Sequence, residues 1–195
     1  YATYIRHRLT GFELGEMPRA VPLDLDDFPE FKERLAKLGA TPKYHRPICT
    51  GPIAVKDLSA LHKDIANLKA ACAKAAIPGQ PPVRAFMNSA SPGVIAVFQP
   101  NKYYASRELY LQALADAMST EYEAIVAAGL DLQIDAPDLA MGRHIQFRDV
   151  DDTEFLRNAR MQVQALNHAL RNVPAERVRM HVCWGNYEGP HHKDV

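Results

Sequence analysis

The sequence lacks the features that mark several specialised classes of protein. It has no long apolar run and no secretory signal, which argues against a membrane-spanning or secreted protein. Its 23 basic and 23 acidic residues cancel, so no overall charge attracts nucleic acid or an anionic membrane surface. Its three cysteines, Cys49, Cys72 and Cys183, lack the spacing of a disulfide framework. We therefore expect a protein of the reducing cytoplasm, without nucleic-acid or membrane partners.

What the sequence does contain is enough apolar material for one sizeable core. Of its 195 residues, 47% are hydrophobic and 24% are charged, which is the composition of a globular chain. We expect residues 1–195 to form a single domain, with residues 13–30 as an exposed excursion because prolines and acidic residues are frequent there. The chain starts at Tyr1 rather than a methionine and stops at Val195, so we expect a piece of a longer protein.

Three helices are predicted from apolar residues that recur three and four positions apart. They cover about residues 57–77, 106–129 and 152–170. Asp57 and Ser106 are suitable N-caps for the first two, and Gly129 supplies the stop of the second. Cys72 lies on the apolar face of the first helix, which favours a packing role.

Short extended segments are predicted between the helices. They cover residues 48–55, 83–88, 94–98, 130–135 and 177–184. The order strand–helix repeats at least three times, which argues for parallel βαβ units and hence an α/β fold. Apolar and polar residues alternate in the last two strands, so each has one apolar and one polar face. Such strands suit a closed barrel, whose lumen accepts the polar face, better than an open sheet covered on both faces.

The length of the chain limits how much of such a barrel it can form. A complete (β/α)8 TIM-type barrel needs about 250 residues, so we expect this chain to cover roughly the central strands and helices. Cutting the ring leaves two strand edges unpaired. Such a chain would either be completed by further segments or form a homo-oligomer, and the sequence favours neither.

The strongest chemical signal is the pair His181 and Cys183, near the end of the strand Arg177–Trp184. Because side chains alternate along a strand, the two point to the same side, about 6–7 Å apart. Zinc binds imidazole nitrogen at about 2.0–2.1 Å and thiolate sulfur at about 2.3 Å, so both side chains can reach one ion. A pair supplies only two ligands, and a buried cysteine beside a hydrogen-bonded core histidine remains an alternative. The turn-forming residues of Gly185–Pro190 suit a functional loop.

Several segments of the sequence resemble one known enzyme family. They are LQIDAPDLAMGRH (132–144), ALNHAL (165–170), RVRMHVCWGNYEGPHH (177–192), GPIAVKDL (51–58) and PNKYYASRELYLQALADAM (100–118). Together they resemble the cobalamin-independent methionine synthases, and more closely the single-barrel branch of zinc-dependent thiol methyltransferase homologues. Epoxyalkane–coenzyme M transferase belongs to the same group, whereas uroporphyrinogen decarboxylase shares the barrel without the metal site.

The resemblance implies a (β/α)8 barrel that holds zinc and binds a small thiol such as homocysteine as a zinc-bound thiolate. It implies a methyltetrahydropteroyltriglutamate–homocysteine methyltransferase-like activity in methionine biosynthesis, with an alkyl or methyl donor such as a methylfolate. His181 and Cys183 match the family's H-x-C zinc ligands. The remaining ligands, a distant cysteine and in methionine synthases a glutamate, would lie beyond Val195, because Glu188 is too near to match that glutamate.

The resemblance also implies a site for the substrate. Asp135 matches the aspartate of a QIDEP-like strand end, which holds the substrate's amino group in methionine synthases. Ala136 stands where those enzymes have glutamate, so a pure homocysteine site is not implied. Trp184 and Asn186 follow the strand with the H-x-C pair, where substrates bind in barrels, and we expect both to contact the substrate.

The remaining polar residues are interpreted structurally. We expect Asp131 to be the partner of a lumen arginine such as Arg179, and His144 and His168 to be packing or surface residues. Two other functions stay open. A metal-free barrel relative would act as a lyase or decarboxylase, and a non-catalytic relative would bind a small molecule without turnover.

Overall fold

Three parallel strands and their connecting helices form the centre of the fold. The computed structural model describes residues 2–17, 21–38, 44–185, 189–190 and 192. The strands are β1 (Phe12–Met17), β2 (Tyr44–Cys49), β3 (Phe86–Ala90), β4 (Asp131–Asp135) and β5 (Val178–His181). The α-helices are α1 (Pro29–Leu38), α2 (Ser59–Ala75), α3 (Pro92–Phe98), α4 (Arg107–Ala127), α5 (Met141–His144) and α6 (Asp152–Ala169). Short 3-10 helices lie at Ala2–His7, Leu23–Asp27, Pro137–Leu139 and Ala175–Arg177.

The strands β3, β4 and β5 pair in chain order and run parallel to one another. Helices α3 and α4 connect β3 to β4, and α5 and α6 connect β4 to β5. The predicted parallel βαβ units, and with them the α/β class, are therefore confirmed. The five strands of the described residues do not close a ring, because β3 and β5 each pair on one side only.

The strands β1 and β2 form a separate antiparallel ribbon, so the fold contains sheets of both kinds. The segment 13–30, predicted to be an exposed excursion, contains most of β1 and a 3-10 helix. Leu14 in β1 is 57% exposed, whereas Asp24 and Leu25 in the 3-10 helix are buried. This segment therefore has one part that projects into solvent and one part that packs against the rest of the chain.

The strand predicted over residues 48–55 is shorter and lies earlier in the chain. The β1–β2 ladder ends at Cys49. The amides of Thr50 and Gly51 both donate to the carbonyl oxygen of Gly11, at 2.9 and 3.2 Å. These two bonds turn the chain out of the ribbon, so the apolar residues that follow do not extend the strand.

The extended segment predicted over residues 94–98 is wrong, because Pro92–Phe98 forms helix α3. Ser91 caps this helix, since its Oγ accepts a hydrogen bond from the Val94 amide at 2.9 Å. Pro92 occupies the first turn, where its missing N–H costs nothing. Residues 92–97 are buried, and a short buried apolar run cannot be assigned to strand or helix from periodicity alone.

The longest helix, α4, follows the sequence prediction closely. Ser106 caps α4 by accepting from the Leu109 amide at 3.2 Å, and Gly129 has a φ of 88° just beyond its end. Helix α2 differs at its start. It begins at Ser59 rather than beside Asp57, whose carboxylate accepts from the amide and hydroxyl of Ser59. Cys72 is partly exposed on this helix, so it is not a fully buried packing residue.

The core lies between the apolar face of the parallel sheet and the helices. Leu132 and Ile134 of β4 are fully buried, as the alternation predicts, and they pack with Ile95, Tyr122 and Ile125. In the part of the chain that the structure describes, no helix is both long and apolar enough to cross a bilayer.

Candidate metal and substrate site

The candidate site lies where β4 and β5 end, because the carboxyl ends of parallel strands meet at one edge of a sheet. Asp135 and His181 are the last residues of these strands and lie opposite each other in the ladder. His181 Nδ1 is 2.6 Å from Asp135 Oδ1. Both side chains are partly exposed, His181 at 47% and Asp135 at 30%. The structure thus brings together one predicted metal ligand and one predicted substrate residue.

The hydrogen bond between these two residues fixes which nitrogen of His181 carries a proton. A carboxylate only accepts hydrogen bonds, so Nδ1 is the donor. In the neutral ring Nε2 then carries no proton and keeps its lone pair free. This tautomer can bind a metal through Nε2. Histidines that bind metals commonly donate their other ring N–H to a carboxylate in this way. The geometry is therefore suitable for a metal ligand at Nε2.

Cys183 lies two residues beyond the end of β5 and is partly exposed. Its carbonyl oxygen accepts from the Met141 amide at 3.3 Å. One imidazole nitrogen and one thiolate are donors that zinc prefers. Among the described residues, no group of three or more histidine, cysteine, aspartate or glutamate side chains is arranged to hold a metal. His181 and Cys183 fit zinc as two ligands of an incomplete set, and their role stays a prediction.

Trp184 contacts His144, for which the sequence predicts a packing or surface role. His144 is fully buried, and its Nε2 donates to the Trp184 carbonyl oxygen at 2.7 Å. The two rings are stacked, with centroids 4.5 Å apart. The other nitrogen, Nδ1, is 3.0 Å from Asp24 Oδ2. The substrate role of Trp184 stays a prediction, and Asn186 lies outside the described residues.

Asp138 is a buried acid beside this site that sequence reasoning missed. It is 1% exposed, and the Ser91 hydroxyl donates to its Oδ1 at 2.7 Å. Burial raises the pKa of Asp138 to about 6, although the Ser91 hydrogen bond and the charge of Arg107 oppose the shift. A Cβ on Gly93 would overlap Asp138 Oδ2. Its position three residues after Asp135, in the same strand-end loop, was the signal that could have found it.

The opposite end of β4 carries an ion-pair cluster. Asp131 accepts from Arg84 Nε at 2.5 Å and from Arg177 Nε at 2.6 Å. The hydrogen bond from Arg84 lowers the pKa of Asp131 most, and the hydrogen bond from Arg177 lowers it further. Arg179, the partner predicted from the sequence, instead donates to Gln133 Oε1 at 2.7 Å. The interpretation of Asp131 as a partner of arginines holds, but with different arginines.

Comparisons with known proteins bear on the fold. No protein-family model and no curated protein sequence matches the chain. Among solved structures, the chain is similar to a B12-independent methionine synthase from Shewanella sp. W3-18-1 in complex with selenomethionine, with a TM-score of 0.59 and 18% identity. The alignment covers 94% of this chain but only 42% of that chain. At this identity the similarity shows the fold alone, an α/β fold consistent with part of a TIM barrel.

Proposed function

We propose that the chain is part of a zinc-dependent enzyme that transfers an alkyl or methyl group to a small thiol. The carboxylate–imidazole pair at the strand ends, Asp135 with His181 at 2.6 Å, is the observation that carries this proposal. A surface histidine has no need of such a partner, whereas a metal-binding histidine commonly has one. The fold similarity to a methionine synthase supports the same reading, with the described sheet as part of a (β/α)8 barrel.

Each residue would have a distinct role in this reaction. His181 Nε2 and Cys183 Sγ would hold the metal, and Asp135 would keep His181 in the tautomer that binds it. When bound, zinc would lower the pKa of the thiol substrate and so supply a nucleophile at neutral pH. The second carboxylate oxygen of Asp135 can accept a hydrogen bond from a substrate amino group. Trp184 would line the same strand end.

The proposal extends to the substrates. A methionine synthase type of reaction would take homocysteine or a similar thiol, with a methylfolate or another alkyl donor, as a step of methionine biosynthesis in the cytoplasm. The residue after Asp135 is Ala136, which is buried and apolar. This strand end therefore offers the substrate one carboxylate, that of Asp135. A thiol whose amino group needs only one carboxylate partner would suit it better than a thiol that needs two.

Zinc binding by the full-length protein that contains this chain tests the proposal. The full-length wild type, prepared without chelators, should compete for zinc with a chromophoric chelator and bind about one ion. The variants Cys183→Ser and His181→Ala should lose this binding, because each removes one ligand. The matched control is Cys72→Ser, since Cys72 is a partly exposed cysteine on α2. No zinc binding by the wild type, or unchanged binding by both ligand variants, would favour a metal-free lyase or a binding protein.

A second variant tests the role of the carboxylate. Asp135→Ala should weaken zinc binding by about 10- to 100-fold, the loss that is typical when the partner of a ligating histidine is removed. Gln133→Ala is the control, because Gln133 lies on the same face of β4 but hydrogen-bonds Arg179 instead. Equal zinc affinities for the two variants would show that the hydrogen bond from His181 to Asp135 does not support metal binding.

A further inference from the structure

The short helix α5 holds the loop after β5 through two hydrogen bonds. The Met141 amide donates to the carbonyl oxygen of Cys183 at 3.3 Å. Three residues later, His144 Nε2 donates to the carbonyl oxygen of Trp184 at 2.7 Å. The stacking of the His144 and Trp184 rings adds a third contact. The carbonyl groups of two successive peptides, Cys183–Trp184 and Trp184–Gly185, are therefore held by α5, beyond the point where the β-ladder ends.

His144 is itself held by a residue distant in sequence. Its Nδ1 lies 3.0 Å from Asp24 Oδ2, and both side chains are fully buried. The other oxygen of Asp24 accepts from the His192 amide at 2.8 Å. A buried carboxylate is tolerated only with hydrogen-bonding partners, so Asp24 and His144 constrain each other. With an acceptor at each nitrogen, the imidazole ring cannot turn without losing a hydrogen bond.

The two candidate ligands are consequently fixed by different parts of the molecule. His181 is fixed by the sheet, through its ladder position and Asp135. Cys183 is fixed by α5, and α5 is fixed by the 3-10 helix Leu23–Asp27 that carries Asp24. We propose that Asp24 and His144 are positioning residues, which hold the Cys183 loop in the orientation that presents its thiol beside His181. The ligand role of Cys183 rests on the proposed function, whereas the tether rests on the hydrogen bonds alone.

The reactivity of the Cys183 thiol in metal-free protein measures this tether. All proteins carry Cys72→Ala, which removes the thiol on α2. Burial raises the pKa of the remaining thiol, Cys49, so that thiol should react slowly with a soluble disulfide reagent. The fast phase of the reaction then reports Cys183.

Two variants of His144 separate the tether from general packing. The amide nitrogen of glutamine reaches the position of Nε2, so His144→Gln keeps a donor to Trp184. The amide nitrogen of asparagine reaches only the position of Nδ1, so His144→Asn keeps a donor to Asp24 and loses the bond to the loop. Both variants lose the ring stack and both leave a cavity, so both should lower the thermal midpoint.

The expected result is a difference between the two variants in thiol reactivity. His144→Asn should change the rate of the Cys183 reaction about tenfold, the factor for losing one hydrogen bond, and His144→Gln should stay near the wild-type rate. Asp24→Ala keeps the Nε2 donor but removes the acceptor that orients the ring, so its rate should lie between those of the two His144 variants, and adding it to His144→Asn should change the rate little. Equal rates for the Gln and Asn variants, whether changed or unchanged, would overturn the proposal.

Failure of the tether can be distinguished from failure of the proposed function. If the full-length wild-type protein binds no zinc, the proposed function fails, and the thiol rates still decide whether the tether exists. If the wild type binds zinc but the two His144 variants have equal thiol rates, the tether alone fails.

Discussion

The aspartates at the two ends of β4 lie in opposite electrostatic settings. Asp131, at the amino end, accepts from two guanidinium groups, and these bonds keep it ionised. Asp138, just past the carboxyl end, is buried with one hydroxyl donor and keeps its proton up to about pH 6. At the amino end two guanidinium groups more than compensate the one carboxylate, as in a structural ion-pair cluster. At the carboxyl end the carboxyl group lacks such a partner, and perturbed acids of this kind are common at functional sites.

Crowding at the carboxyl end gives the largest expected effect. A Cβ on Gly93 would overlap the Asp138 carboxylate, so Gly93→Ala should destabilise the fold by about 3 kcal/mol or more, the upper range for overpacked sites. The control is Gly142→Ala in α5, where the new Cβ would be 3.7 Å from the nearest side-chain atom of Phe147. That variant should lie within about 1 kcal/mol of the wild type. Urea unfolding compares the two, and similar losses would show that the carboxyl end is not crowded.

The protonation of Asp138 gives the second-largest expected effect, which is on how stability depends on pH. Its pKa is about 6 when folded against an ordinary value of 3.8. Between these pH values the unfolded chain releases a proton that the folded chain keeps, so stability falls as the pH rises. Asp138→Asn removes this loss, so the variant should gain up to about 3 kcal/mol relative to the wild type from pH 4 to pH 7. A constant difference across this range, measured by urea unfolding, would contradict the raised pKa.

The cluster at the amino end gives the smallest effect and the opposite sign. The pKa of Asp131 is lowered in the folded chain, so its ion pairs stabilise the fold above the ordinary pKa and the benefit is lost as the pH falls. Asp131→Asn should therefore lower the thermal midpoint at pH 7 and much less at pH 3. Because Arg84 is largely exposed, added salt should shrink the difference. A loss that is independent of both pH and salt would mean that Asp131 acts by packing.

Local signals in the sequence were sufficient for the elements of the parallel unit. The helices α4 and α6 and the strand β4 are found where the periodicity and caps place them, because each is long or regular enough for its pattern to be read. The helix α3 was not predicted from its pattern, although Ser91 before Pro92 is a helix-start signal. Its short apolar run is buried on all sides, and burial erases the periodicity that distinguishes helix from strand.

The candidate site was predictable only in part, for a related reason. His181 and Cys183 share the strand predicted over residues 177–184, and Asp135 ends another, so alternation and strand order predict that they share an edge. Asp24 and His144 have no such local pattern. Their partnership depends on a segment more than a hundred residues away returning to the strand ends, and no periodicity in the sequence records that return.

The hydrogen bond from the His192 amide to Asp24 spans 168 residues of chain, and this has a consequence for the order of folding. Contacts among β3, α4, β4 and α6 join segments that are near one another along the chain, so they can form early. Closing the long loop carries an entropy cost that is repaid only once both of its ends have a surface to dock on. We therefore expect the N-terminal segment to dock last and to open first, with the His192 amide exchanging its hydrogen well before the amides of β4.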